Sequence, residues 1–163
     1  MTTVTRKATT ADLLAAVTAG RRERAGEYLT MFRAMFGENN RACVVPMNEA
    51  KVSALIDRLC DTGALMVVEL DGETAGMIAV QMVEAYYSAD PVCAVLWTYV
   101  PLRWRGEGIG RALMQCAEEW SRANGAAAIM TGATVDAEVG AMDRMLLGLS
   151  WARAEHRWVR KWA

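Results

Sequence analysis

The residues best placed to do chemistry stand together in one string, Val100-Pro-Leu-Arg-Trp-Arg105-Gly106-Glu107-Gly108-Ile109-Gly110-Arg111-Ala112-Leu113. β-rich sequence precedes it and a helical apolar stripe follows, so its glycines fall where a strand opens into a helix. Glycines there leave successive backbone N–H groups uncovered. With the positive end of the helix dipole, and with Arg105 and Arg111 close by, those amides form a compact site for a diphosphate. Two common phosphate motifs are excluded. A Walker loop requires Gly-Lys-Ser/Thr, and a dinucleotide fingerprint requires its third glycine where Arg111 stands.

Stepping outward, the flanking sequence supplies the elements that hold this string. Val4 to Lys7 reads as a short edge strand, and Thr9 with Asp12 as a cap before a helix carrying Leu13, Leu14 and Val17 on one stripe. Arg21 to Phe36 has helical spacing, closed by Gly37, and Asn48 caps a further helix that ends at Gly63. Ala64 to Leu70 and Thr74 to Tyr87 are strands joined by the hairpin signal Asp71-Gly72. A turn through Ser88 to Pro91 leads into Cys93 to Val100. After the glycine string come a helix ending at Asn124-Gly125, a short strand Ala127 to Thr131, a helix Asp136 to Leu149 and a closing strand Arg153 to Trp162. The expected fold is α/β (α+β): a mixed, mostly antiparallel sheet of about six strands with helices on both faces, forming one domain over residues 1–163.

The string resembles the R/Q-x-x-G-x-G/A signature of the GNAT superfamily of acyl-CoA-dependent N-acetyltransferases, with Arg105, Gly108 and Gly110 at the signature positions. The element order resembles that family over most of the chain. The stretches Pro46 to Val52 and Glu84 to Ser88 are similar to short members from bacteria and their phages. The resemblance implies that acetyl-CoA is the co-substrate and that the amides of Arg105, Gly106, Gly108, Ile109, Gly110 and Arg111 bind its pyrophosphate. It further implies that Val100 pairs its backbone with the pantetheine arm, where the fourth and fifth strands splay, and that no metal is required. An amine on a small molecule or protein would attack the acetyl carbonyl directly. The competing expectation is a GNAT-fold protein that binds acyl-CoA without turnover, as a sensor or interaction module.

Catalytic groups are less distinct. A strand glutamate found in some family members aligns with Ala94, which leaves Glu84 and Asp90 as the nearest acids in sequence. The family's tyrosine, in a pattern resembling Y-x-x-x-G-F, aligns with Leu146 or Arg144. Glu84 and Thr98 are the catalytic candidates, with Tyr86 and Tyr87 as further hydroxyls. Trp97, Tyr99 and Trp120 are assigned to the core. His156 reads as a structural residue of the last strand. Acceptor choice is expected from the loop between Gly37 and Pro46 and from the Tyr86 to Asp90 turn, with Arg33 and Glu38 available to select charge.

Composition narrows the partners. A formal net charge of -1 over 163 residues argues against nucleic acid, and no apolar run reaches membrane-spanning length. Cys43, Cys60, Cys93 and Cys116 lack metal or disulfide spacing, consistent with a cytoplasmic protein with reduced thiols. The closing strand, if unpaired on one edge, is expected to form part of a homodimer interface.

Overall fold

A computed structural model describes residues 8–38, 45–132 and 139–152. The elements run α1 (Thr10–Ala15), β1 (Val17–Ala19), a 3-10 turn (Arg22–Arg24), α2 (Ala25–Glu38), α3 (Glu49–Asp61), β2 (Leu65–Leu70), β3 (Glu73–Glu84) and β4 (Pro91–Tyr99). A second 3-10 turn (Leu102–Trp104), α4 (Ile109–Ala123), β5 (Ala128–Met130) and α5 (Val139–Gly148) complete the described chain.

Local chemistry accounts for most boundaries. The Thr9 hydroxyl accepts from the Asp12 amide while the Asp12 carboxylate accepts from the Thr9 amide, a reciprocal cap that starts α1. Asn48 accepts from the Lys51 amide to start α3. Asp71 and Gly72 both take positive φ, 51° and 79°, the conformation a two-residue hairpin requires. Three boundaries differ from expectation. Val17 leaves the α1 stripe and enters β1, because β-branched Val17 and Thr18 pair with Val68 and Val67. α2 continues through Gly37 to Glu38, where tertiary contacts of the Glu38 carboxylate outweigh the glycine. β3 stops at Glu84, opposite Pro91, so Tyr86 and Tyr87 fall in the turn.

The sheet order is β1-β2-β3-β4-β5, antiparallel except for the β4–β5 pair. Five strands are present among the described residues, against about six expected. The expected strands at Val4 to Lys7 and Arg153 to Trp162 lie outside those residues, as do His156 and the edge proposed for a dimer.

Side-chain alternation assigns the helices to faces. Gly76 lies under α4, so close that a Cβ there would stand 2.7 Å from Ile109 Cγ2 and 3.1 Å from Leu113 Cδ1. Ala79 and its partner Trp97 face the other way, and Trp97 meets Phe32 of α2 edge to face at 5.0 Å. α1 and α4 thus cover one face, and α2 with α3 the other, as expected. Ile56, Leu65, Val67, Met77, Ile78, Leu113 and Met114 fill the core between them, each fully buried.

Candidate functional site

Two irregularities of β4 open the sheet. Opposite Ala79 and Val80 the register slips from Trp97 to Val95, leaving Leu96 as an extra, bulged residue. On its other edge β4 pairs, among the described residues, with β5 at Val92, Cys93 and Ala94 alone. Beyond these the two strands part, which is the expected splay. A cleft of about 630 Å³ occupies the gap, lined by Val95 to Tyr99 of β4, by Val100, Thr131 and Gly132 just beyond the two strands, and by residues of α2, α5 and the α4 loop.

At one end of the cleft stands the N-terminus of α4. Gly106 and Gly108 take φ of 83° and 88°, a left-handed conformation that strains any residue with a Cβ. Gly108 occupies the cap position and offers no side chain to the helix, whose first internal bond runs from the Ala112 amide to the Gly108 carbonyl. The amides of Ile109, Gly110 and Arg111 therefore precede the hydrogen-bonded ladder and carry the helix's positive end. Gly110 also borders the cleft: a Cβ there would meet Met145 Sδ at 3.7 Å and Val100 Cγ2 at 4.0 Å. Val100, Arg105, Gly106, Gly108, Ile109, Gly110 and Arg111, the residues named from the string, all line this one cleft.

The Arg105 side chain does something the sequence did not indicate. Its Nε donates to the Val100 carbonyl at 2.8 Å and its Nη2 to Glu38 Oε2 at 2.5 Å, while the guanidinium lies 5.9 Å from the Tyr99 ring centroid. Tyr99 donates its hydroxyl proton to the other Glu38 oxygen at 2.7 Å. This clasp ties the last turn of α2 to the end of β4. Partial burial pushes the Glu38 carboxyl upward, but hydrogen bonds from Arg105 and Tyr99 and the adjacent positive charge prevail and hold it below the usual carboxylate range. Arg111 is the more exposed of the two arginines.

The other end of the cleft is apolar. Phe32, Met35 and Phe36 of α2 face it with Trp97, and Phe32 and Phe36 stack at 6.5 Å between centroids. α5 adds Ala141 and Met142 to the lining, and its Met145 stands against Gly110 at the α4 end. Trp97 and Tyr99 are core residues, as expected, and they are also cleft walls. The α2 wall went unrecognised because helical spacing of Phe32, Met35 and Phe36 reads equally as a core stripe.

The catalytic candidates separate. Thr98 lines the cleft, and its hydroxyl oxygen is buried without a hydrogen-bond partner. Glu84 is exposed and lies outside the cleft, six residues along β3 from Ile78, the partner of Thr98, or about 20 Å. Proximity to the string in sequence was misleading, because an extended strand carries a residue away quickly. Asp90, Tyr86 and Tyr87 share that hairpin tip and do not line the cleft, and Arg33 is turned away into an ion pair with Glu49 at 2.6 Å. Just after α5, Ser150 takes φ of 65° and the Trp151 amide bonds back to the Leu146 carbonyl. A left-handed backbone at this position is one that glycine adopts most readily. Among the described residues no cluster of His, Cys, Asp or Glu could hold a metal, and no helix is long and apolar enough to cross a membrane.

A family model described as acetyltransferase (GNAT) family matches residues 29–145. No curated protein matches the chain by sequence. Among solved structures, an aminoglycoside N-acetyltransferase, AAC(6')-Iy, in complex with CoA is similar at a TM-score of 0.70 and 10% identity, with 89% of this chain and 92% of that one covered. A ribosomal-protein-alanine N-acetyltransferase from Brucella melitensis biovar Abortus 2308 gives 0.64 and 15%, covering 90% and 99%. An aminoglycoside acetyltransferase from an uncultured soil metagenomic sample, in complex with sisomicin, gives 0.62 and 15%, covering 90% and 93%. At these identities the likeness is one of fold.

Proposed function

Since the chain belongs to the GNAT acetyltransferase family, we propose that it is an acyl-CoA-dependent N-acetyltransferase that moves the acetyl group of acetyl-CoA to a primary amine of a small molecule or protein. The observation that carries this reading is the meeting of two features in one cleft: the bare α4 N-terminus and the parting of β4 from β5. The residues present fit the ligand. The amides between Arg105 and Arg111 suit a pyrophosphate, and Gly110 leaves open the space a side chain would fill. Past Ala94, no strand among the described residues pairs with the β4 edge that faced β5, which suits an extended amide-bearing arm.

Acetyl-CoA supplies the activated acetyl group. The amine lone pair attacks the thioester carbonyl, the C–N bond forms, the C–S bond breaks, and the thiolate takes up the proton the amine releases. An ordinary alkylammonium must first lose a proton, and the apolar cleft helps because desolvation disfavours its charged form. Glu84 is too distant to serve as base. Thr98 is the candidate kept for the acyl end: it lines the cleft and its buried hydroxyl lacks a protein partner, so a small local shift would let it hydrogen-bond the developing oxyanion. Release of CoA thiol on mixing with acetyl-CoA and an amine library tests the reading; acetyl-CoA binding without release from any amine would refute it as an enzyme.

A second reading, acyl-CoA binding without turnover, draws on one observation. Where α5 faces the cleft it presents Ala141, Met142 and Met145, and none of these can protonate a leaving thiolate. A thiol leaves tolerably without a dedicated acid, so the enzymatic reading is preferred.

A further inference from the structure

The acceptor end of the cleft differs in character from its donor end, and this carries a reading of the amine. Resting on the transferase function proposed above, we infer that the acceptor is a monoamine with an apolar, aromatic-sized body rather than a polycation. Phe36, Phe32 and Trp97 form a continuous ring surface, with Phe32 in contact with both neighbours. Phe36 is the informative member. It is half-buried and lines the cleft, and among the described residues it stacks on Phe32 rather than on the buried core that Phe32 and Met35 pack against. An aromatic ring stacked onto a cleft wall at the margin of the core is suited to bury a ligand's apolar surface.

Charge points the same way. Among the described residues lining the cleft there is a single carboxylate, Glu38, against two guanidiniums, Arg105 and Arg111. Both Glu38 oxygens are already engaged, by Tyr99 and by Arg105. A ligand with several ammonium groups would lose hydration against these apolar walls and find, among the described lining residues, no carboxylate oxygen that is not already engaged. A ligand with one ammonium gives up far less, and the same apolar walls favour its neutral, nucleophilic form. The ring faces also tolerate a cation in transit.

The test compares kcat/KM for aromatic monoamines, 2-phenylethylamine first, with that for sisomicin at saturating acetyl-CoA, alongside calorimetric acetyl-CoA binding. The expected result is at least a tenfold preference for the aromatic monoamines. In a Phe36→Asp variant, kcat/KM for 2-phenylethylamine should fall at least tenfold while acetyl-CoA binding stays within twofold of wild type. A preference for sisomicin overturns the inference and leaves the transferase reading intact. So does acetyl-CoA binding with no turnover of aromatic monoamines but turnover of other amines. A variant that keeps wild-type kcat/KM overturns the role of the α2 wall. Failure of wild type to bind acetyl-CoA would instead remove the transferase reading on which the inference stands.

Discussion

At the α4 end of the cleft the chain presents main-chain amides, whereas at the α2 end it presents ring faces. The first surface depends on left-handed Gly106 and Gly108 and on the small Gly110, all within five positions. The second is assembled from Phe32 and Phe36 of one helix and Trp97 of a strand more than sixty positions away. A backbone-built surface suits the part of a ligand that never changes, because peptide groups are the same whatever the side chains. A side-chain-built surface can be altered one residue at a time without disturbing the other end. The Glu38–Tyr99–Arg105 clasp joins them, so the two ends are chemically distinct but mechanically linked.

The largest effect is expected from undermining the backbone-built end from behind. Gly76→Val would drive a side chain into Ile109 and Leu113 and lift α4 from the sheet. Overpacking of this kind costs about 3 kcal/mol, or roughly 6–12 °C in Tm for a chain of this size, and thermal unfolding with and without acetyl-CoA would show both stability and binding reduced. Next, Phe36→Asp should cost about tenfold in kcat/KM for an aromatic monoamine, equivalent to about 1.4 kcal/mol, with Tm nearly unchanged. Loss of acetyl-CoA binding in that variant would break the separation between the two ends.

The smallest effect concerns the clasp. Because the folded Glu38 carboxyl titrates below its unfolded value, its contribution to stability is fully present above the unfolded pKa and is lost as pH falls through the folded one. The carboxylate side chain is 39% exposed, so solvent screening limits the contribution to under about 1 kcal/mol. Glu38→Gln should therefore lower stability slightly at neutral pH, and the difference from wild type should shrink below about pH 4.5. Denaturant titrations at pH 7 and pH 3.5 would check this; a difference that grows on acidification contradicts the assignment.

The α4 end of the cleft was legible in the sequence because it is local. Glycine spacing at a strand-to-helix junction specifies its own geometry, and the structure places all seven named residues on one cleft. The hairpins and helix caps were legible for the same reason, since Asp71-Gly72, Thr9 and Asn48 act within a few positions of themselves. The acceptor end was not. Nothing in the spacing of Phe32 and Phe36 distinguishes a ring that fills the core from one that lines a cleft; the difference arises only when β4 parts from β5. Glu84 lies away from the cleft for the converse reason, because nearness along the chain says little once a strand has been extended. Glu38 was noted for its charge, but its two partners lie 61 and 67 positions away and no local pattern names them.

The central claim, that the α4 end holds the pyrophosphate of acetyl-CoA, is tested most directly by calorimetric titration of wild type and a Gly108→Trp variant, with folding verified by circular dichroism. A bulky residue at φ of 88°, 3.3 Å from Leu13 at its Cβ alone, should block the amides. Wild type is expected to bind acetyl-CoA with a Kd of about micromolar order and the folded variant at least about 100-fold more weakly. No binding by wild type, or equal binding by a folded variant, would contradict the account.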